Sequence, residues 1–251
     1  AQCVDYDYLG SRCDGAFAEY VTAPPANLVP VPDGVSLEEA AMTEPAAVAL
    51  HAVRRGCGCS EGETVAIFGI GPIGLMVAQW VRAAGASRIL LFDIEAAKLE
   101  QARKMGFEDV FDSSAADPVE VVEERSGGEG VDLAFDGAGV PQTLLEAMAS
   151  ACRGGRVVML GNPSADVNLP ATLISQLMRR EATLYGTWNS HFSSSGDTDD
   201  WRDVLSAMAE GTLDLEPLIT HRIPLDGAVD VLEGMKEHRE FFSKVLIQPA
   251  R

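Results

Sequence analysis

Gly69-Ile70-Gly71-Pro72-Ile73-Gly74 constrains this chain more than any other stretch. It comes after a short apolar run, Thr64-Val65-Ala66-Ile67-Phe68, and opens a segment whose apolar residues recur at Ile73, Met76, Val77, Trp80, Val81 and Ala84. That spacing predicts a helix with one buried face. A second apolar run, Ile89-Leu90-Leu91-Phe92, ends at Asp93. Strand, Gly-x-Gly-x-x-Gly turn, helix, strand and terminal acid stand in the order a dinucleotide-binding crossover requires.

Each part has a chemical reason. Gly69 permits a tight turn out of the strand, Gly71 has no side chain to hold the backbone off a pyrophosphate, and Gly74 lets the helix approach the sheet. Pro72 suits the first helical turn, where a missing N–H costs nothing, and Ile73 comes next to it there. The helix N-terminus offers unpaired N–H groups and partial positive charge to phosphates. A carboxylate at Asp93 accepts hydrogen bonds from both adenosine ribose hydroxyls and repels a 2′-phosphate, which predicts NAD rather than NADP. Lys98, just beyond, is a candidate for the same ribose or else a solvated helix lysine.

From residue 45 onward the pattern predicts an α/β doubly wound sheet, with strands at 64–69, 88–93, 109–112, 131–136, 155–160 and 182–187 and helices between them near 72–84, 95–105, 117–125, 141–151 and 171–180. Gly137, in Asp136-Gly137-Ala138-Gly139, and Gly161, in Gly161-Asn162-Pro163, fall at strand C-termini. Those loops are candidate walls for a nicotinamide, or plain turns. Residues 1–44 read otherwise: Ala16-Phe17-Ala18-Glu19-Tyr20-Val21 partly alternates and prolines interrupt the residues after it, which predicts short strands. Residues 188–251 bring a Ser/Asp-rich loop, helices near 199–210 and 226–237, and a last strand, Lys244-Val245-Leu246-Ile247. The expected domains are therefore 1–44, 45–187 and 188–251, the two ends packing together.

The chain has 251 residues, with 38 acidic against 19 basic and a formal charge of −19. Such a surface repels phosphate backbones and argues against nucleic-acid binding. There is no apolar run of about 18 residues that would span a membrane. Five cysteines, at 3, 13, 57, 59 and 152, are scattered rather than set as a disulfide framework, which points to a cytoplasmic setting. Cys57-Gly58-Cys59 has no second cysteine pair nearby and reads as two ordinary thiols. His51 reads as a satisfied core histidine; His191, His221 and His238 are too dispersed for a metal set. Arg179-Arg180 is a local basic pair on an acidic molecule.

Asp14-Gly15-Ala16-Phe17-Ala18-Glu19-Tyr20-Val21, then Glu44-Pro45 with Leu50-His51-Ala52, then the glycine turn, resemble a zinc-type medium-chain dehydrogenase/reductase along the whole chain. The polyol dehydrogenase branch is the most similar, carried by 6–12, 139–143, 186–189 and 215–222. The resemblance implies a Rossmann-type sheet plus the remnant of a GroES-like β-barrel catalytic domain, with NAD and Zn2+ as cofactors. It implies zinc-assisted hydride transfer from a secondary alcohol of a polyol or polyol phosphate to NAD, leaving a ketose. Glu44 matches an acid that approaches the catalytic zinc directly or through water; its alternative role is a first-turn carboxylate beside the helix dipole. Cys3 matches the last of four structural-zinc cysteines. The remaining zinc ligands of the family would precede Ala1, so the expectation is an N-terminally incomplete chain that binds NAD without turning over. The resemblance further implies a homodimer or homotetramer, through an edge strand at Ala182-Thr183-Leu184-Tyr185. Competing readings are another polyol- or threonine-type dehydrogenase, a zinc-free reductase of the superfamily, and a non-catalytic NAD-binding module.

Overall fold

Short apolar runs alternate with capped amphipathic stretches, and the backbone obeys that alternation. The computed structural model describes residues 7–196 and 198–249. In chain order the elements are α1 (Leu37–Ala40), α2 (Thr43–Arg55), β1 (Thr64–Phe68), α3 (Pro72–Ala83), β2 (Arg88–Asp93), α4 (Ala96–Lys104), β3 (Val110–Asp112), α5 (Pro118–Ser126) and β4 (Val131–Asp136). Next come α6 (Pro141–Ser150), β5 (Ala151–Met159), α7 (Ala171–Arg180), β6 (Thr183–Gly186), α8 (Asp200–Ala209), β7 (Ile219–Pro224), α9 (Ala228–Glu237) and β8 (Lys244–Gln248). The chain divides into two compact units, Pro45–Ser190 and Ala1–Glu44 with His191–Arg251.

Pro45–Ser190 holds a six-stranded sheet in the order β3-β2-β1-β4-β5-β6, every neighbouring pair parallel. Covered on both faces, such strands need apolar side chains at successive positions, which is why β1 and β4 read as runs rather than alternations. Phe68, Phe92 and Phe111 occupy matching register positions on β1, β2 and β3. Their rings stack at 4.9 and 5.5 Å between centroids, one continuous aromatic row toward the strand C-termini. The expected single buried face of α3 is an understatement: Gly74 to Gln79 are all buried, because the helix is enclosed nearly all round. β5 starts at Ala151, earlier than the glycines at 154 and 155 suggest, with a register shift against β4 absorbing the irregularity.

The other unit contains β7 and β8, paired parallel, with α1, α8 and α9. The strands expected around 16–21 do not form: among the described residues there is only a bridge between Leu9 and Cys13. A strand is stable only against a partner's backbone, and none is offered to this stretch. β7 went unexpected because Pro217 and Pro224 bracket it, although Thr220, Arg222 and Pro224 alternate with its more apolar positions. Arg222 binds Glu38 at 2.7 Å and also pairs with Glu216, while Gln248 donates to the other oxygen of Glu38 at 2.7 Å. Among the described residues no helix is long and apolar enough to cross a membrane.

Candidate dinucleotide site

The order of the sheet reverses between β1 and β4, and at that switch point the C-terminal turns of β1, β4 and β5 come together. Gly69 has φ +93°, a conformation L side chains rarely adopt, and a Cβ there would lie 2.6 Å from the Ala138 nitrogen. Gly71 is the N-cap of α3, and a Cβ there would meet nothing within 4 Å. The space above its backbone is open. Pro72 takes the first helical position with Ile73 next, and the first intrahelical bond is Leu75 N–H to Gly71 O at 3.0 Å. The N–H groups of Ile73 and Gly74 precede it and keep no carbonyl of their own helix. A Cβ at Gly74 would stand 2.3 Å from Gly69 O, so helix and turn touch.

Asp93 ends β2 only 8% exposed. Its Oδ2 accepts from Ile70 N–H at 3.0 Å, and its Oδ1 from Ile94 and Glu95 N–H at 2.9 and 3.0 Å. Lys98 approaches Asp93 at 3.6 Å and Glu95 at 3.0 Å. The acid therefore fixes the glycine turn as well as standing beside it, a link that sequence spacing does not contain. Gly137 and Gly161 also lie here. A Cβ at Gly137 would meet Gly69 O at 2.7 Å, and one at Gly161 would meet Gly139 N at 2.1 Å. A second acid was missed. Asp136, ending β4 at 2% exposure, accepts on Oδ1 from Thr143 Oγ1 (2.8 Å), Gly139 N–H (3.0 Å) and Ala138 N–H (3.3 Å). Burial pushes its carboxyl up, and these three donors oppose the shift. Its signal was present in the sequence: like Asp93, it is an acid closing an otherwise apolar strand.

The metal expectations fare differently. Cys3 lies outside the described residues. Glu44 stands exposed in the first turn of α2; desolvation by the protein around its carboxyl pushes its pKa up, and Lys244 acts against that. Among the described residues no group of three or more His, Cys, Asp and Glu side chains could hold a metal ion. Glu44 alone cannot hold a zinc ion, and the described residues bring no set of further ligands to it. Cys57 Sγ lies 3.1 Å from Tyr185 Oη, and burial pushes the Cys59 thiol to about 11, aided by Glu63. The raised Cys59 thiol is a poor nucleophile there. Arg180 spends its guanidinium on the carbonyls of Ala149 and Ala151 at 2.8 and 2.6 Å, a structural use. His221 contacts Thr220, Glu240 and the ring of Phe242.

A parallel sheet with a glycine turn at its switch point and an acid on the neighbouring strand defines a doubly wound α/β fold of the dinucleotide-binding class. A family profile described as zinc-binding dehydrogenase matches residues 72–210, more than half of the chain. Galactitol 1-phosphate 5-dehydrogenase of Escherichia coli (strain K12) is 34% identical over 222 residues, 88% of this chain and 64% of that protein. A crystal structure of galactitol-1-phosphate dehydrogenase from Escherichia coli matches with a TM-score of 0.89 at 32% identity, covering 98% of this chain and 71% of that one. Sorbitol dehydrogenase of Bacillus subtilis (strain 168) is 32% identical across 99% of this chain and 68% of its own. A zinc-binding dehydrogenase of Sinorhizobium meliloti 1021, solved with NADP bound, gives a TM-score of 0.86 at 30% identity over 99% of this chain and 70% of that one. The chain belongs to the zinc-binding dehydrogenases, in their polyol dehydrogenase branch. It spans 64% of the length of the galactitol 1-phosphate relative.

Proposed function

We propose that Pro45–Ser190 binds NAD and that the chain serves an NAD-dependent, zinc-assisted oxidation of a secondary alcohol to a ketone, on a polyol or a polyol phosphate of the galactitol 1-phosphate kind. The observation that carries the reading is the open space above Gly71, bounded by the free N–H groups at the start of α3 and by Asp93. Those N–H groups dock the diphosphate. Asp93 has lone pairs left for the adenosine ribose, Lys98 adds a donor beside it, and Glu95 adds a second negative charge against a 2′-phosphate. The turns at Gly137 and Gly161 wall the other half of the crevice. When bound, the nicotinamide supplies a hydride acceptor at C4. Glu44 is the residue proposed to stand near the zinc, directly or through water, the remaining ligands coming from outside the described residues. Pairing of two chains through the β6 edge belongs to the same proposal.

Calorimetry on the 251-residue chain tests it. NAD is expected to bind at least about tenfold more tightly than NADP, and Asp93→Ala to abolish most of that preference. Absence of NAD binding overturns the proposal. With galactitol 1-phosphate or sorbitol added, no rise in reduced-cofactor absorbance is expected from this chain; sustained turnover would show that the described residues suffice. Faster reaction of threonine than of either polyol in a longer form would move the substrate to another member of the family.

A further inference from the structure

We propose that Asp136 is the counter-charge of the crevice, a buried carboxylate that favours the oxidised, positively charged nicotinamide over the reduced, neutral one. The inference rests on the dinucleotide reading above and gives that site a redox preference. Position comes first. Asp93 closes β2 on one side of the switch point, and Asp136 closes β4 on the other, where the second half of a dinucleotide lies.

Isolation is the second observation. All the side-chain hydrogen bonds of Asp136 come from neutral donors and end on Oδ1; among the described residues Oδ2 accepts none and no cation pairs with the group. Asp93, by contrast, has Lys98 at 3.6 Å. A carboxylate buried without a cation is costly, and a positive ring arriving nearby offsets part of that cost. Burial is what pushes this carboxyl up, and no cation stands among the groups that oppose it.

Rigidity is the third. The Asp136 carbonyl accepts from Leu160 and Gly161 N–H at 3.0 and 2.7 Å, so the residue is tied to the turns of both β4 and β5 and cannot carry its charge out to solvent. Holding those turns requires only an acceptor, which an asparagine would supply. The negative charge is surplus to that task.

The affinities of NAD+ and NADH, measured separately on wild type, Asp136→Asn and Thr143→Lys, test the inference. D136N keeps the acceptor and removes the charge. It is expected to weaken NAD+ about tenfold while NADH changes by less than about twofold. T143K, at a half-buried helical position, sets an ammonium beside the carboxylate. It is expected to shift the ratio the same way, and it serves if D136N does not fold. An equal loss for both cofactors, or no change in their ratio, in whichever variant folds overturns the inference and leaves Asp136 a positioning residue for the turns. Wild type binding neither cofactor defeats the underlying reading instead.

Discussion

At Gly161 the turns after β4 and β5 leave no room for a methyl group. A Cβ there would sit 2.1 Å from the Gly139 nitrogen, a backbone atom that cannot swing aside. Gly161→Ala is therefore expected to cost about 1–3 kcal/mol in denaturant unfolding and to weaken NAD binding, since the β4 and β5 turns must part. Gly71→Ala is its comparison. Open space surrounds that position, so stability should hold while a cofactor brought against the backbone would be displaced. The sequence named both glycines, yet their different duties depend on what stands opposite each. The two acids divide similarly. Asp93 was legible because it falls at a known distance from a glycine motif. Asp136 closes the expected strand 131–136 at no such marked distance, and its burial and three donors come from a turn and a helix that only the fold brings to it.

Helix α8 shows how an element's cap carries a pH dependence. Asp199, 1% exposed, precedes it and accepts from the backbone of Arg202 and Ser193, with the Arg202 guanidinium closing an ion pair. Burial works to raise this carboxyl, but those donors and the guanidinium outweigh burial and hold it below its ordinary value. A depressed acid lends stability above its unfolded pKa, near 4, and loses it as pH falls through the lower folded value. Asp199→Ala is expected to lose about 1–2 kcal/mol at neutral pH, with a shallower decline toward acid in urea unfolding measured across pH. An unchanged acid limb would mean the pair contributes nothing. From α3 onward the helices, with β1, β2 and β4, follow the periodicity of the sequence nearly to their ends. The elements of the other unit were less legible: β7 is short and proline-bracketed, and 16–21 alternates without finding a partner strand.

Across the whole molecule, a charge of −19 leaves copies of the chain repelling one another, so any association must be strongly directional. The β6 edge offers that direction, with one side of its backbone unpaired in the sheet and Leu184 37% exposed. Sedimentation velocity is expected to show a dimer at moderate salt, and Leu184→Lys a monomer with the sheet intact by circular dichroism. A wild-type monomer at micromolar concentration would remove the edge from consideration.

By itself the sequence determined the parallel α/β sheet, its glycine turn and its family, because apolar runs, helix periodicity and turn chemistry are properties of neighbouring residues. Tertiary structure alone decided that Asp93 braces the turn through Ile70, that Asp136 is sealed without a cation, and that no metal-binding group assembles among the described residues. Burial and pairing depend on segments far apart in the chain, and their distances exist only once the sheet has brought the strand ends together.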